Sequence, residues 1–207
     1  EMNRLGIMVD VSHISKAAMM QAVRESQAPV IASHSSVHAL APVPRNLDDE
    51  QLQAIQKNGG VAQIVAFSSY VRYGPEKDKA RASLAAKMSE KYQVEDLSTL
   101  EEEQMAEFDR ALAELDKIWP LAPVSEFVDH IDYAVKLIGI DHVGISSDFD
   151  GGGGLDGWND ASETENVTLE LVRRGYNQQE IAKLWGGNLL RVLAEVEAVA
   201  EKIKNQQ

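Results

Sequence analysis

The period of the apolar positions changes repeatedly along the chain. Leu5-Gly6-Ile7-Met8-Val9-Asp10-Val11 is almost continuously apolar, which predicts a strand covered on both faces, as in a parallel sheet. Ser15 is placed to cap a helix that carries Ala17, Met20 and Val23. Pro29-Val30-Ile31-Ala32 reads as a second strand and Val61-Ala62-Gln63-Ile64-Val65-Ala66-Phe67 as a third. Between them, Asp48 and Gln51 have capping-box spacing, Leu47 and Leu52 have staple spacing, and Asn58-Gly59 is a left-handed helix stop. Further on, Ser125 starts a helix with Phe127, Ile131, Val135 and Ile138 on one face, ended by Gly139. Val143-Gly144-Ile145-Ser146-Ser147 is a fourth strand. A helix from Glu163 to Arg174 stops at Gly175, Asn177 and Glu180 form a second capping box with Tyr176 and Ile181 as its staple, and a last helix runs from about Leu189 to Lys204. Four strands separated by helices predict an α/β fold, either a parallel sheet or part of a (β/α)8 barrel.

One stretch breaks the rhythm. Residues 75–117 hold seven Lys/Arg and twelve Asp/Glu, a local charge of −5, with Leu84, Met88, Leu97, Leu100, Phe108, Leu112 and Leu115 spaced as on amphipathic helices. This reads as an acidic helical insertion at about 75–120 with a solvated face, closed by Trp119-Pro120-Leu121-Ala122-Pro123. The whole chain carries a formal charge of −13, which argues against a nucleic-acid partner. Its 44% hydrophobic content is ordinary for a folded domain, and no apolar run reaches the ~20 residues of a membrane span. With no cysteine, disulfides, thiolate metal sites and thiol nucleophiles are excluded.

Chemistry-bearing residues fall where strands end. Asp10 and His13 follow the first strand, His34 the second, and Asp148 and Asp150 the fourth. The carboxyl ends of parallel strands are where α/β active sites form. Two imidazoles and a carboxylate are zinc-ligand types, so convergence at one rim would make a metal hydrolase. A lone histidine at a strand end is, however, more often a hydrogen-bonded structural group, and there is no HExxH pair, so spacing alone leaves both readings open. His38, four residues after His34, reads as a solvated or capping group, or as a support behind the ligands; His130 and His142 read as structural. Gly151 to Gly154 does not match a phosphate loop and reads as a mobile loop beside the site.

These residues lie in motifs that resemble the renal (membrane) dipeptidase family. The segments are Asp10-Val11-Ser12-His13-Ile14-Ser15, Pro29-Val30-Ile31-Ala32-Ser33-His34-Ser35-Ser36, Pro44-Arg45-Asn46-Leu47, Val143 to Gly151, and Trp185-Gly186-Gly187-Asn188-Leu189-Leu190-Arg191. The resemblance runs from end to end of the chain. It implies a zinc-dependent dipeptidase on a (β/α)8 TIM-type barrel with two zinc ions per active site. Position by position, it implies that His13 and His34 are metal ligands. It likewise implies that Arg45 grips the substrate's terminal carboxylate, which suits a guanidinium fork. Asp148 is implied as the acid/base residue, and Asp150 as a loop or supporting group.

The family's remaining ligands, a His-x-Asp pair and a bridging Glu, lie upstream of the His13 motif. The chain is therefore expected to be the carboxy-terminal half of a barrel domain over 1–207, carrying part of the binuclear site and little activity alone. Its abrupt start at Glu1-Met2-Asn3 reads as a cut between barrel halves. The expected partner is a dipeptide, with a homodimer of the intact enzyme compatible and an extracytoplasmic, periplasmic location favoured. Competing expectations are another amidohydrolase-like metalloenzyme, such as a lactonase or deaminase, and a non-catalytic barrel module.

Overall fold

A computed structural model describes residues 1–206. The elements are α1 (Met2–Leu5), β1 (Val9–Asp10), α2 (Lys16–Glu25), β2 (Val30–Ala32), α3 (Asp49–Asn58), β3 (Val61–Ala66), α4 (Ser68–Val71), α5 (Pro75–Tyr92), α6 (Glu102–Ile118), α7 (Val124–Ile138), β4 (Val143–Ser147), α8 (Thr164–Arg173), α9 (Gln178–Ala182) and α10 (Asn188–Lys204). The chain forms two compact units, one of Glu1–Tyr73 with the stretch from Ala122 onward, the other Gly74–Leu121.

In the larger unit the four strands are all parallel and lie in chain order, β1-β2-β3-β4. A doubly wound sheet reverses its order at a switch point, whereas successive units of a (β/α)8 barrel do not, so this is the order of half a barrel. The middle of the sheet matches expectation. All six residues of β3 are buried, and five consecutive pairs from Ala62↔Val143 to Ala66↔Ser147 align it with β4. Ala62, Ile64 and Ala66 pack with Leu52, Ile55, Phe127, Ile131 and Ile138 of α3 and α7 in one cluster. Ile31 and Val61 belong to a second cluster with Val192 and Val196 of α10. Gly60 and Gly144 are required by close approach: a Cβ would fall 2.3 Å from the Val30 carbonyl oxygen at the first and 1.6 Å from Gln63 Oε1 at the second.

Local signals are realised where expected. Asp48 and Gln51 form a reciprocal capping box, Gly59 ends α3 at φ 83°, and Leu47 and Leu52 are both buried. Asn177 and Glu180 form the second box. The first strand departs from expectation. Gly6 at φ 76° ends α1, so only Val9 and Asp10 are extended, and Leu5 and Ile7 are 51% and 48% exposed. β1 pairs only with β2 and occupies the edge of the sheet, so its apolar run lacks the second neighbour that a fully covered strand needs.

In the smaller unit α5 and α6 run antiparallel. Lys77 and Arg81 both reach Asp116 (3.1 and 3.0 Å), and at the far end Lys91 and Tyr92 reach Glu107 (both 2.6 Å). Only Met88 and Leu100 are buried among its large apolar side chains. Among the described residues, no helix is long and apolar enough to cross a membrane.

Candidate functional site

The sheet register assembles the site at the carboxyl ends of the strands. Asp10 pairs with Ile31 in the β1–β2 ladder, which sets the segment after Asp10 beside the segment after Ala32. His13 and His34 leave these adjacent strand ends. Their Nε2 atoms lie 2.6 Å apart, with the rings tilted by 52°. The backbone around them is tied down: Ser12 Oγ accepts from the His34 amide (3.0 Å), and Ser12 itself is buried.

Arg45 joins the pair from the loop between β2 and α3. Its guanidinium donates to the Ser12 and His34 carbonyl oxygens, and its Nη2 lies 3.2 Å from His13 Nε2. The guanidinium also lies 5.6 Å from the centre of the Tyr70 ring, which stacks on Phe67 at 4.4 Å. The loop's path depends on Asn46, whose side chain holds the Ser36 amide and the Ala41 and Tyr70 carbonyls. It also depends on His130, buried in α7. The Val37 amide donates to His130 Nδ1 (3.0 Å), and His130 Nε2 donates to the Val71 carbonyl (2.9 Å).

Asp148 follows β4 on the same rim, with β3 between it and His34. Its side chain does not cap the turn that follows it. The glycine run wraps it closely: a Cβ on Gly151 would fall 2.4 Å from Asp148 Oδ1, and one on Gly153 would meet the Asp148 backbone at 2.6 Å. The Gly154 amide donates to the Ala66 carbonyl, fastening the turn to the end of β3. Asp150 is exposed.

Burial, then the neighbouring His13 and Arg45, lower the His34 pKa against the opposing charges of Asp10 and Asp148. That direction favours the neutral imidazole, the form that binds a metal. Partial burial pushes the Asp10 carboxyl up, but hydrogen bonds from Ser33 and Ser12 outweigh it, so the group sits below its ordinary value.

His13, His34 and Arg45 thus meet directly, and Asp148 acts on His34 through space. His38 does not join them. The segment after His34 is not helical, so four-residue spacing does not align the two side chains, and His38 is exposed. His142 holds the Gly60 carbonyl and, like His130, is structural. Sequence reasoning missed Ser33, which bridges Asp10 and His34, and the Phe67–Tyr70 stack beneath Arg45. The first meets its partner only through strand pairing; the second gave no pattern to read.

In donor chemistry the imidazole pair fits a metal ion: two ring nitrogens set side by side. Their separation is that of a hydrogen bond, whereas zinc with Zn–N of about 2.0–2.1 Å in tetrahedral geometry needs them about 3.3 Å apart. Seating zinc therefore requires the rings to spread. Among the described residues no group of three or more His, Asp or Glu side chains is placed to hold a metal.

A family model described as "Membrane dipeptidase (Peptidase family M19)" matches residues 1–207. Among curated proteins, the chain is 34% identical over 205 residues to Dipeptidase tcpJ of Claviceps purpurea, covering 99% of this chain and 38% of that protein. It is 31% identical over 207 residues to Dipeptidase 3 of Rattus norvegicus, covering 33% of that protein. Among solved structures, the probable dipeptidase PvdM from Pseudomonas aeruginosa superimposes with a TM-score of 0.77 at 42% identity, covering 96% of this chain and 52% of that one. A metallo peptidase from Rhodobacter sphaeroides, liganded with a phosphinate mimic of the dipeptide L-Ala-D-Ala, gives 0.67 at 26% identity, covering 94% and 44%. The chain spans less than two fifths of the length of these curated relatives.

Proposed function

Because this chain belongs to the membrane dipeptidase family, peptidase family M19, we propose that the protein containing it is a zinc-dependent dipeptidase. In this reading the chain contributes two ligands of a binuclear zinc site, the arginine for the substrate carboxylate and the acid/base aspartate. The observation that carries the proposal is the approach of Arg45 Nη2 to within 3.2 Å of His13 Nε2, beside the His13–His34 pair. A carboxylate-binding cation set directly against metal-ligand nitrogens suits a short substrate whose charged end lies close to its reacting bond.

His13 and His34 would hold the zinc. When bound, zinc lowers the pKa of a water and polarises a carbonyl. Arg45 has five N–H donors, and the Ser12 and His34 carbonyls take two of them, leaving others for the free carboxylate of a dipeptide. Holding that end fixes the scissile amide near Asp148 and favours dipeptides over longer chains. The Asp148 carboxylate takes a proton from the water as its oxygen adds to the amide carbon. It returns that proton to the amide nitrogen as the C–N bond breaks, releasing one acid and one amine. The Gly151–Gly153 turn, free of side chains, leaves room for that carboxylate.

The test is hydrolysis of a panel of L,L- and L,D-dipeptides, their carboxy-terminal amides and matching tripeptides by the full-length protein. Turnover of free dipeptides, with amides and tripeptides at least about tenfold poorer, supports the reading. Equal turnover of acids and amides, or of none of them, refutes it.

A further inference from the structure

Behind His34 lies a hydrogen-bonded chain that the proposed reaction does not use. Ser33 Oγ is 2.5 Å from Asp10 Oδ2 and 2.6 Å from His34 Nδ1. Asp10 Oδ1 is already engaged, accepting from the backbone amides of Ser33 (3.0 Å) and Ser12 (3.1 Å). A carboxylate so placed offers only acceptors, so the Ser33 hydroxyl must point its single hydrogen at Oδ2. Its oxygen then faces His34 Nδ1 as an acceptor, which requires that Nδ1 carry the imidazole proton. The remaining nitrogen, Nε2, presents its lone pair to His13 Nε2, 2.6 Å away, which is then the donor of that contact.

We infer that Asp10 and Ser33 are positioning residues that fix His34 in the Nδ1-protonated tautomer and aim its Nε2 lone pair at the metal position. The inference rests on the reading of His34 as a zinc ligand and adds what sets its protonation. Carboxylates commonly orient metal-bound histidines by direct contact, fixing tautomer and ring angle. Here a hydroxyl carries the same polarity one step further, from the edge strand to its neighbour. The chain runs one way only. In Asp10→Asn the two backbone amides hold the amide oxygen where Oδ1 was, leaving the NH2 group to donate to Ser33 Oγ. The hydroxyl hydrogen must then turn to His34 Nδ1, and the imidazole proton moves to Nε2, where it blocks the metal.

The test uses the full-length protein, stripped of metal and labelled with 15N-histidine, with two-bond 1H–15N correlation spectra reporting each ring's tautomer. The native protein and Ser33→Thr, which keeps the hydroxyl, should give His34 protonated at Nδ1. Asp10→Asn should give it protonated at Nε2, and Ser33→Ala a mixture. Zinc affinity, measured by competition with a chromophoric chelator, should fall about 10- to 100-fold in Asp10→Asn and Ser33→Ala and recover in Ser33→Thr. A contact that merely ties β1 to β2 would lower the melting temperature without moving the tautomer. An unchanged tautomer and zinc affinity in both weakened variants would overturn the inference. His34→Ala separates this from the parent reading: if that variant keeps all its zinc, His34 is not a ligand, whatever its tautomer.

Discussion

Gly151 lies against Asp148 so closely that a Cβ at position 151 would fall 2.4 Å from the Asp148 Oδ1 atom. The obstructed atom is the end of a side chain, which can rotate away. Gly151→Ala should therefore leave folding nearly intact while displacing the carboxylate by an ångström or so. Misplacement on that scale costs about 100-fold in rate, so kcat on a dipeptide should drop by about that factor. The melting temperature of the full-length protein should stay within a few degrees of native. Gly153→Ala is the contrast, because its Cβ meets the Asp148 backbone, and it should lower both.

Arg45→Lys keeps the charge and loses the fork. The ammonium is a point charge and cannot give the paired N–H contacts that a carboxylate accepts from guanidinium. KM for a free dipeptide should rise about tenfold or more with kcat less affected. The native preference for the free acid over its amide should shrink by the same factor. Steady-state kinetics on an acid–amide pair measures both.

His130 should make the arm that carries Arg45 sensitive to acid. Burial lowers its pKa below the ordinary 6.5, against smaller opposing effects of the Val71 hydrogen bond and nearby carboxylates. A histidine lowered on folding binds fewer protons in the native state than in the unfolded one. Its stabilisation is thus complete above the unfolded pKa and is lost as pH falls through the folded value. Protonation at Nδ1 also removes the acceptor for the Val37 amide. Urea-unfolding midpoints should decline from about pH 7.5 to about pH 5, and part of that decline should vanish in His130→Gln.

Much of the scaffold was legible because its signals are local. Asp48 with Gln51 and Asn177 with Glu180 announce helix starts within four residues, and the β-branched run of β3 announces a buried strand. The first strand misled because Leu5 and Ile7 have the composition of a covered strand but lie beside an edge, and covering is a tertiary property. His13, His34, Arg45 and Asp148 could be named from motif resemblance, while the distances among them could not. The Asp10–Ser33–His34 chain stayed hidden because Asp10 and Ser33 are 23 residues apart and meet only through the register of two short strands. The glycine run looked like an unconstrained loop, yet Gly153 is required by the Asp148 backbone and Gly151 lies against the Asp148 carboxylate.

The central claim is that His13 and His34 hold catalytic zinc in a dipeptidase. The most direct measurement is zinc content per chain by elemental mass spectrometry, alongside dipeptide turnover, for the full-length protein and for its His13→Ala and His34→Ala variants. The expected result is two zinc ions in the native protein, one fewer in each variant, and a loss of turnover of at least about a thousandfold, the scale of removing an essential electrostatic group. Unchanged zinc content with retained turnover in both variants would contradict it.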